Sequence, residues 1–449
     1  MDQVVGGCIL REDSVPSGKE RGRWPSTSCG VSDDHYNKFG RPPTAVSDHQ
    51  HSTPEAMLDS RVEPSVPSRE SPPPPWRSEL KGGVMRYHGV DLHKGSSAVS
   101  IRDEVGHEVR YLAKVETASY VATLGPQDSV ALESGSGSFW WAERIQRRGA
   151  RCVVIDPYRF RIIRDSWHKT DCRDAGALSL ALWNSARSGE LVLPEVWQPT
   201  PEVRELRRLF SQWQLLNNQS RQLKAQVQSV LVENGITDRK LGIRMVDNPT
   251  VGLQLTTTLE LSPASLFGIT MSLKTLAHLK EQKKSLQREI YRAGQPFEEQ
   301  VRLLIGIRGV TPLLALGFLS EVGDIRRFRS LRALLAYLGV VPTVRSSGGT
   351  THVGRLNRRS RCLARTLFSE AVLHLADSSP LLGGFYRELV QRKGYGRARI
   401  AVLRKTFGMM RRMLLSNTPY RWKEEPLYQR KLKDWVRIRG IEEESKIPA

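Results

Sequence analysis

From Arg86 onward, apolar and polar positions alternate in short runs. YHGVDL, SAVSIR and HEVRYLA are separated by Lys-Gly-Ser and Asp-Glu-Val-Gly turns, a pattern that predicts three antiparallel strands in a meander. DSVALES predicts a fourth strand whose end meets Gly-Ser-Gly, and SFWWAERIQRRG an amphipathic helix. ARCVVIDP reads as a buried strand stopped by Pro157. The next helix opens in KTDCRDAGAL and runs on through LSLALWNSARSG.

Three strands followed by strand–helix–strand–helix is the order of an α/β RNase H-like mixed sheet. Pro199 to Pro201 mark a boundary. Beyond it Val203, Leu206, Phe210 and Trp213, then Leu216, Leu223, Val227 and Val230, recur at three- and four-residue steps. Leu276, Leu279, Leu286 and Ile290 repeat the step, so a long helical coiled-coil hairpin, or a coiled-coil dimer arm, is expected. Residues 248–269 fit no clear element. Near Arg302, LLIGIRGVTPLLALGFLSEVG sets a glycine turn between two apolar helical stretches, in the manner of a helix–hairpin–helix; backbone N–H groups in such a turn can hold a phosphate. SLRALLAYLG predicts another helix ended by Gly339, and RSSGGTTHVGRLNRRSR a polar loop. Helices over 361–377 and 398–416 complete a mostly α C-terminal domain.

Residues 1–84 differ from the rest. They are Pro- and Ser-rich, include the run Pro72 to Pro75, and lack apolar periodicity, so disorder is expected. Met85 stands directly before the first strand, and a start-site artefact is the alternative reading of this extension. The expected divisions are 1–84 extension, 85–198 sheet domain, 199–298 helical coiled-coil region, 299–425 C-terminal domain and 426–449 basic tail. A net charge of +21 over 449 residues argues for a polyanionic partner, nucleic acid above all. No apolar run is long enough to span a membrane and no signal-peptide pattern is present; a soluble, cytoplasmic protein without a membrane partner is expected. The five cysteines are scattered without a CxxC pair, which supports neither a zinc site nor a disulfide framework.

Four acids carry the chemistry. Asp91 lies inside the first strand, where aspartate packs poorly. Glu133 ends the fourth, before Gly135 and Gly137. Asp171 and Asp174 are one turn apart on one helical face. In an RNase H-like topology the first and fourth strands are neighbours, and the helix end packs over them. Carboxylates so gathered repel one another, and a magnesium (or manganese) ion relieves that repulsion. Two such ions can clamp a phosphodiester between attacking and leaving oxygens. Taken singly, each acid also reads as a turn cap or a solvated helix start. Thr170 is a cap candidate for that helix. His93 and His168 flank the acids and read as solvated loop histidines, with proton shuttling the alternative. Ser346 and Ser347 precede Gly348 and Gly349, with Arg345, Arg355, Arg358, Arg359 and Arg361 close by. A serine attacking phosphorus needs a base, a metal or a dense positive field; a flexible phosphate-binding loop is the plainer reading.

These stretches together resemble the transposases of the IS110 family, including their IS116/IS110/IS902-type C-terminal domain. HGVDLHK resembles the family's opening strand, ALESGSGSFWW its glutamate strand and KTDCRDA its paired-aspartate helix. IRGVTPLLALGFLSEVGDIRRF, LAYLGVVPTVRSSGGTTHVGRL and ARIAVLRKTFGMMRRML resemble successive parts of the C-terminal domain. The resemblance implies a RuvC-like domain whose Asp-Glu-Asp-Asp set is Asp91, Glu133, Asp171 and Asp174. It also implies a catalytic serine at Ser347, with Ser346 as the register alternative, and an element-encoded non-coding guide RNA beside the DNA of the element ends and target. One departure stands out. Arg358-Arg359-Ser360-Arg361 occupies the place of the family's usual Lys-x-Gly-Asn. Recombination needs two DNA ends brought together, so a homo-oligomer is expected. The alternatives are a RuvC-like junction nuclease that hydrolyses without the serine, and a non-catalytic nucleic-acid-binding protein.

Overall fold

The computed structural model describes residues 85–160, 170–188, 192–347, 350–357 and 360–439. The extension 1–84, His168, the Gly348-Gly349 pair, Arg358 and Arg359 lie outside the described residues.

Five strands form one mixed sheet: β1 (Arg86–Leu92), β2 (Ser96–Arg102), β3 (Glu108–Glu116), β4 (Asp128–Glu133) and β5 (Arg151–Ile155). Their order is β3–β2–β1–β4–β5. The meander pairs antiparallel, whereas β1–β4 and β4–β5 are parallel. Three helices cover the sheet: α1 (Thr117–Ala122), a short turn the sequence pattern does not announce, α2 (Ser138–Arg147) and α3 (Asp171–Ser188). Strand alternation assigns the faces. Val90, Val130, Leu132 and Val154 pack with Tyr120, Val121, Ala142 and Ile145 of α1 and α2. Tyr87, Ala131, Val153 and Ile155 pack with Leu178, Ala181 and Leu182 of α3.

Gly89 sets how closely α3 approaches β1. A Cβ there would lie 2.0 Å from the Ala175 carbonyl oxygen and 2.4 Å from the Ser179 nitrogen. Only glycine permits this contact between strand and helix backbones.

At the opposite end of the sheet from Asp91 and Glu133, the Asp128 carboxylate is fully buried. Arg86 Nε donates to its Oδ1 at 2.8 Å, the Gly125 N–H to its Oδ2 at 2.8 Å, and His88 Nε2 lies 3.0 Å from Oδ1. The Tyr120 hydroxyl meets the other His88 nitrogen at 2.8 Å. Burial alone would raise this carboxyl, yet the hydrogen bonds from His88, Arg86 and Gly125 outweigh it and bring the pKa down from 3.8 to about 2. A depressed carboxylate contributes stability above its unfolded value and loses it as pH falls through the folded one. The expected window of loss is therefore from near pH 3.8 toward pH 2. Asp128→Asn should cost about 2 kcal/mol at neutral pH, because hydrogen bonds to a charged acceptor become neutral ones. Thermal melts at neutral pH read the loss, and an unchanged melting temperature would count against the network.

The remainder is mainly helical: α4 (Pro201–Glu233), α5 (Arg239–Asp247), α6 (Pro249–Leu255), α7 (Pro263–Ala293), α8 (Glu298–Leu304), α9 (Pro312–Val322) and α10 (Leu331–Tyr337). A two-stranded pair follows, β6 (Pro342–Ser347) and β7 (Thr350–Leu356), and then α11 (Leu363–Glu370), α12 (Val372–Ala376), α13 (Pro380–Ser416) and α14 (Glu425–Arg439). The long helices α4 and α7 pack on each other. Their near ends contribute Leu206, Phe210, Ile290 and Tyr291 to the large core that also holds Phe318, Phe368, Phe407 and Trp435. Their far ends close over α5 and α6 through Val227, Leu231, Met245, Val246, Ile269, Leu273 and Leu276.

Several segments differ from the sequence expectation. Part of residues 248–269, unassigned from pattern, forms α6 and the start of α7; α6 is seven residues long, too short for a 3.6-residue period to show. The RSSGG stretch, expected as a loop, is strand on both sides. The pairing runs from Pro342↔Leu356 to Ser347↔Thr350, and the β-branched Thr343, Val344, Thr350, Thr351 and Val353 account for it. The helix expected over 398–416 is the second part of α13, which breaks at Gly394 (φ 78°, ψ 164°). Much of the expected basic tail is α14, whose Trp435 is fully buried. Lys431 Nζ donates to the carbonyls of Ile305 and Ile307, both at 2.8 Å. Those carbonyls belong to the turn between α8 and α9, which also contains Gly309 at φ 83°.

One residue joins the connecting segment to the helical part. The ring of Trp197 lies over Gly323, where a Cβ would come within 2.1 Å of it. The Arg327 guanidinium is 4.4 Å from the Trp197 ring centroid and the Arg207 guanidinium 5.4 Å.

Candidate active site

The parallel register of β1 and β4 aligns Val90 with Leu132, which makes Asp91 and Glu133 the next pair at the same strand ends. Both lie on the α3 face, since Gly89 and Ala131, two positions earlier, meet α3. The amino end of α3 comes to this corner. Its cap is Thr170, whose Oγ1 accepts the Arg173 N–H at 3.4 Å. Asp171 and Asp174 occupy the first turn, where the helix dipole favours carboxylates.

Asp91 and Asp171 meet through His93. His93 Nε2 is 3.1 Å from Asp171 Oδ2 and 3.7 Å from Asp91 Oδ2. One ligating atom from each of the three residues lies within 4.8 Å of the others. Asp91 is the least exposed, at 20%, against 59% for Asp171. Burial holds the Asp91 carboxyl above its ordinary range; His93 pulls it down, and the charges of Asp171 and Asp174 push it up. Asp174 is therefore within electrostatic reach of Asp91. Tyr111 of β3 is also at this corner. Burial, with Cys172, Asp171 and Asp91 nearby, raises its hydroxyl pKa and keeps it protonated.

His93 is exposed in the turn after β1, as a solvated loop histidine, and its Nε2 also lies close to both aspartates; its position two residues after Asp91 is the signal for that contact. Two carboxylates and an imidazole form an oxygen-rich donor set with one nitrogen, which suits a hard or borderline divalent cation. Burial first, and then the neighbouring charges of Asp171 and Asp174, disfavour the ionised form of Asp91.

The serine segment is elsewhere in the fold. In the β6–β7 ladder Ser346 pairs with Thr351, Ser347 with Thr350 and Arg345 with His352. Among the described residues this pair shares no extensive contact with β1, β4 or α3. Arg355 is exposed, and its carbonyl accepts the Thr343 hydroxyl at 3.1 Å. Arg361, expected to contact nucleic acid, holds the buried Glu321 carboxylate with Nε at 3.0 Å and Nη2 at 2.9 Å. Its charge is matched inside the fold.

Residues 301–387 match the family described as the IS116/IS110/IS902 transposase family. The chain is 26% identical over 355 residues to a probable family 20 transposase of Pseudomonas aeruginosa, covering 76% of this chain and 97% of the relative. It is 25% identical over 342 residues to the transposase for insertion sequence element IS1111A of Coxiella burnetii, covering 74% and 90%. The transposase for element IS1328 of Yersinia enterocolitica is 26% identical over 291 residues, covering 64% and 83%. Similarity that runs nearly the full length of such relatives, together with an α/β sheet leading into a basic helical body, defines a transposase, an enzyme whose partner is DNA. Residues 301–387 match the IS116/IS110/IS902 transposase family, and the chain is similar to transposases of insertion elements over about three quarters of its length. Among the described residues no helix is long and apolar enough to cross a membrane.

Proposed function

We propose that the protein cuts and rejoins the DNA of its own insertion element through a RuvC-like carboxylate site and a serine nucleophile, directed by an element-encoded RNA. The observation that carries the first part is the Asp91–His93–Asp171 cluster, with its ligating atoms within 4.8 Å. Asp174 on the same helical turn and Glu133 on the adjoining strand end would complete the ligand set. The strand order β3–β2–β1–β4–β5 supports the RuvC-like reading of residues 85–198, with the helical arm (199–298) and the serine-bearing domain (299–425) after it. Magnesium or manganese held there would polarise a phosphoryl oxygen and lower the charge repulsion at the phosphorus. The chain's own contribution is to fix four carboxylates on rigid strand ends and a capped helix.

Ser347, or Ser346 in the other register, would supply the attacking hydroxyl. The Oγ–phosphorus bond forms as the bond from phosphorus to a deoxyribose oxygen breaks. The hydroxyl proton passes to a base, and the departing oxygen takes one up. One phosphoester replaces another, so rejoining needs no outside energy source. Arg345 and Arg355, with Arg358 and Arg359 of the same stretch, would neutralise the transferring phosphate. Guide-RNA use rests on the family resemblance and the net charge of +21. Self-association is supported by the exposed Phe267 (69%) and Met271 (50%), one turn apart on α7.

The separation of the β6–β7 pair from the acid corner favours a second reading: hydrolysis by water at the carboxylate site, with the serine dispensable. Under the first reading the serine strands must be delivered by rearrangement or by a neighbouring copy. Ser347→Ala distinguishes the two. Incubated with element-end DNA and the RNA that co-purifies, wild type should yield a DNA–protein adduct that survives denaturant, and Ser347→Ala none. Cleavage at wild-type rate by Ser347→Ala, without any adduct in either protein, would overturn the serine mechanism.

A further inference from the structure

On the sheet face opposite α3, α2 presents a feature that the carboxylate corner does not use. The turn after Glu133 leads directly into this helix, and its first turn carries Trp140. The indole is 48% exposed, in a position where a tryptophan with no partner would leave its apolar surface in water. Trp140 is not among the residues that pack α2 on the sheet, which include Ala142, Ile145 and, partly buried, Phe139 and Trp141. Trp141, partly buried against the same cluster, meets Trp140 edge-on, with ring centroids 4.6 Å apart at 89°. That contact fixes the orientation of the exposed ring.

The charge around Trp140 is also arranged. Arg147 and Arg204 both pair with Glu143 on the outer face of α2. Arg144, the residue after Glu143, has no ion pair with a carboxylate among the described residues. Its guanidinium instead lies 3.0 Å from the Trp140 ring centroid. An indole and a guanidinium plane stacked at the surface, rigidly held and carrying an unmatched positive charge, form a surface suited to a flat, electron-rich ring attached to an anion.

We propose that Trp140 and Arg144 form a stacking platform for an unpaired DNA base. The proposed function enters only in taking DNA as the strand bound; the platform itself is argued from α2, on the face of the sheet away from α3 and its two aspartates. Trp140 is then a positioning residue, which holds the substrate outside the reacting atoms.

The test is photo-crosslinking with a short oligothymidylate that carries 5-iododeoxyuridine, a base that couples to a stacked aromatic ring on irradiation. Mass spectrometry of the adduct should place it on Trp140. Affinity for the same oligonucleotide should fall on the order of tenfold in Trp140→Ala, the usual loss for one stacked base. Trp140→Phe should restore most of it, and affinity for duplex DNA should stay unchanged in both. A melting curve equal to wild type shows that Trp140→Ala folds. Absence of a Trp140 adduct, or single-strand affinity unchanged in Trp140→Ala, overturns the proposal. So does an adduct seen only with the corresponding oligouridylate, which would assign the platform to RNA. Asp171→Ala separates this result from the cutting reading. The adduct should persist in that variant although cleavage is lost; an adduct with cleavage intact would sink the acid-site reading and leave the platform standing.

Discussion

Asp91→Asn is expected to reduce strand cleavage by about a thousandfold or more while leaving the melting temperature equal to wild type or slightly higher. The rate loss follows from the position of the residue. Asp91 is the least exposed carboxylate of the Asp91–His93–Asp171 group, on a strand end that cannot shift to compensate. Removing one preorganised charge from a phosphoryl-transfer site typically costs that much. The unchanged or raised stability follows from electrostatics. Burial and the charges of Asp171 and Asp174 already disfavour the ionised form of Asp91, so a neutral amide of the same shape relieves repulsion. A second readout does not depend on activity. Magnesium that binds the folded form should raise the wild-type melting temperature, and the increment should shrink in Asp91→Asn. A variant that cleaves normally would remove Asp91 from the site.

Gly89→Val is the second large effect, expected to cost about 3 kcal/mol or more and to abolish cleavage with all four acids present. Overpacking against side chains commonly costs 1–3 kcal/mol, roughly, because rotamers give way. Here the first obstruction is backbone: the Ala175 carbonyl at 2.0 Å and the Ser179 nitrogen at 2.4 Å from the new Cβ. The helix must move off the strand, and Asp171 and Asp174 at its amino end move with it. Thermal melts and cleavage assays on the same preparation test both halves. Conditions that restore folding, such as low temperature, should leave Gly89→Val inactive. Full activity in a folded Gly89→Val would mean that α3 need not stay at this distance.

The sheet was legible because its strands alternate cleanly and their turns are polar and glycine-bearing. The strand neighbours β1 and β4 could be inferred from element order alone, and with them the meeting of Asp91 and Asp171. What the pattern could not reveal has a common cause: short elements, and side chains whose partner is far away in the chain. His93 looks like any loop histidine until α3 brings Asp171 to it. Asp128 heads the fourth strand with nothing in the pattern to announce its partners, Arg86 and His88 of another strand. The α5 and α6 helices are too brief to display a period, and Trp435 gave no sign in a basic stretch that it enters the core. Arg361 reads as a phosphate ligand until Glu321, forty positions earlier, is seen to hold it.

The seat of Trp197 on Gly323 bears on how the protein can be divided. A cut at the proline-marked boundary near residue 200 looks natural in the sequence, yet it would strand an indole whose ring rests on a glycine more than a hundred positions later, beneath Arg327 and beside Arg207. The excised sheet fragment would carry that ring uncovered and tend to self-adhere, while the helical fragment would keep two guanidinium groups facing an empty place. Expressing the two fragments together, or ending the shorter one before residue 197, avoids both.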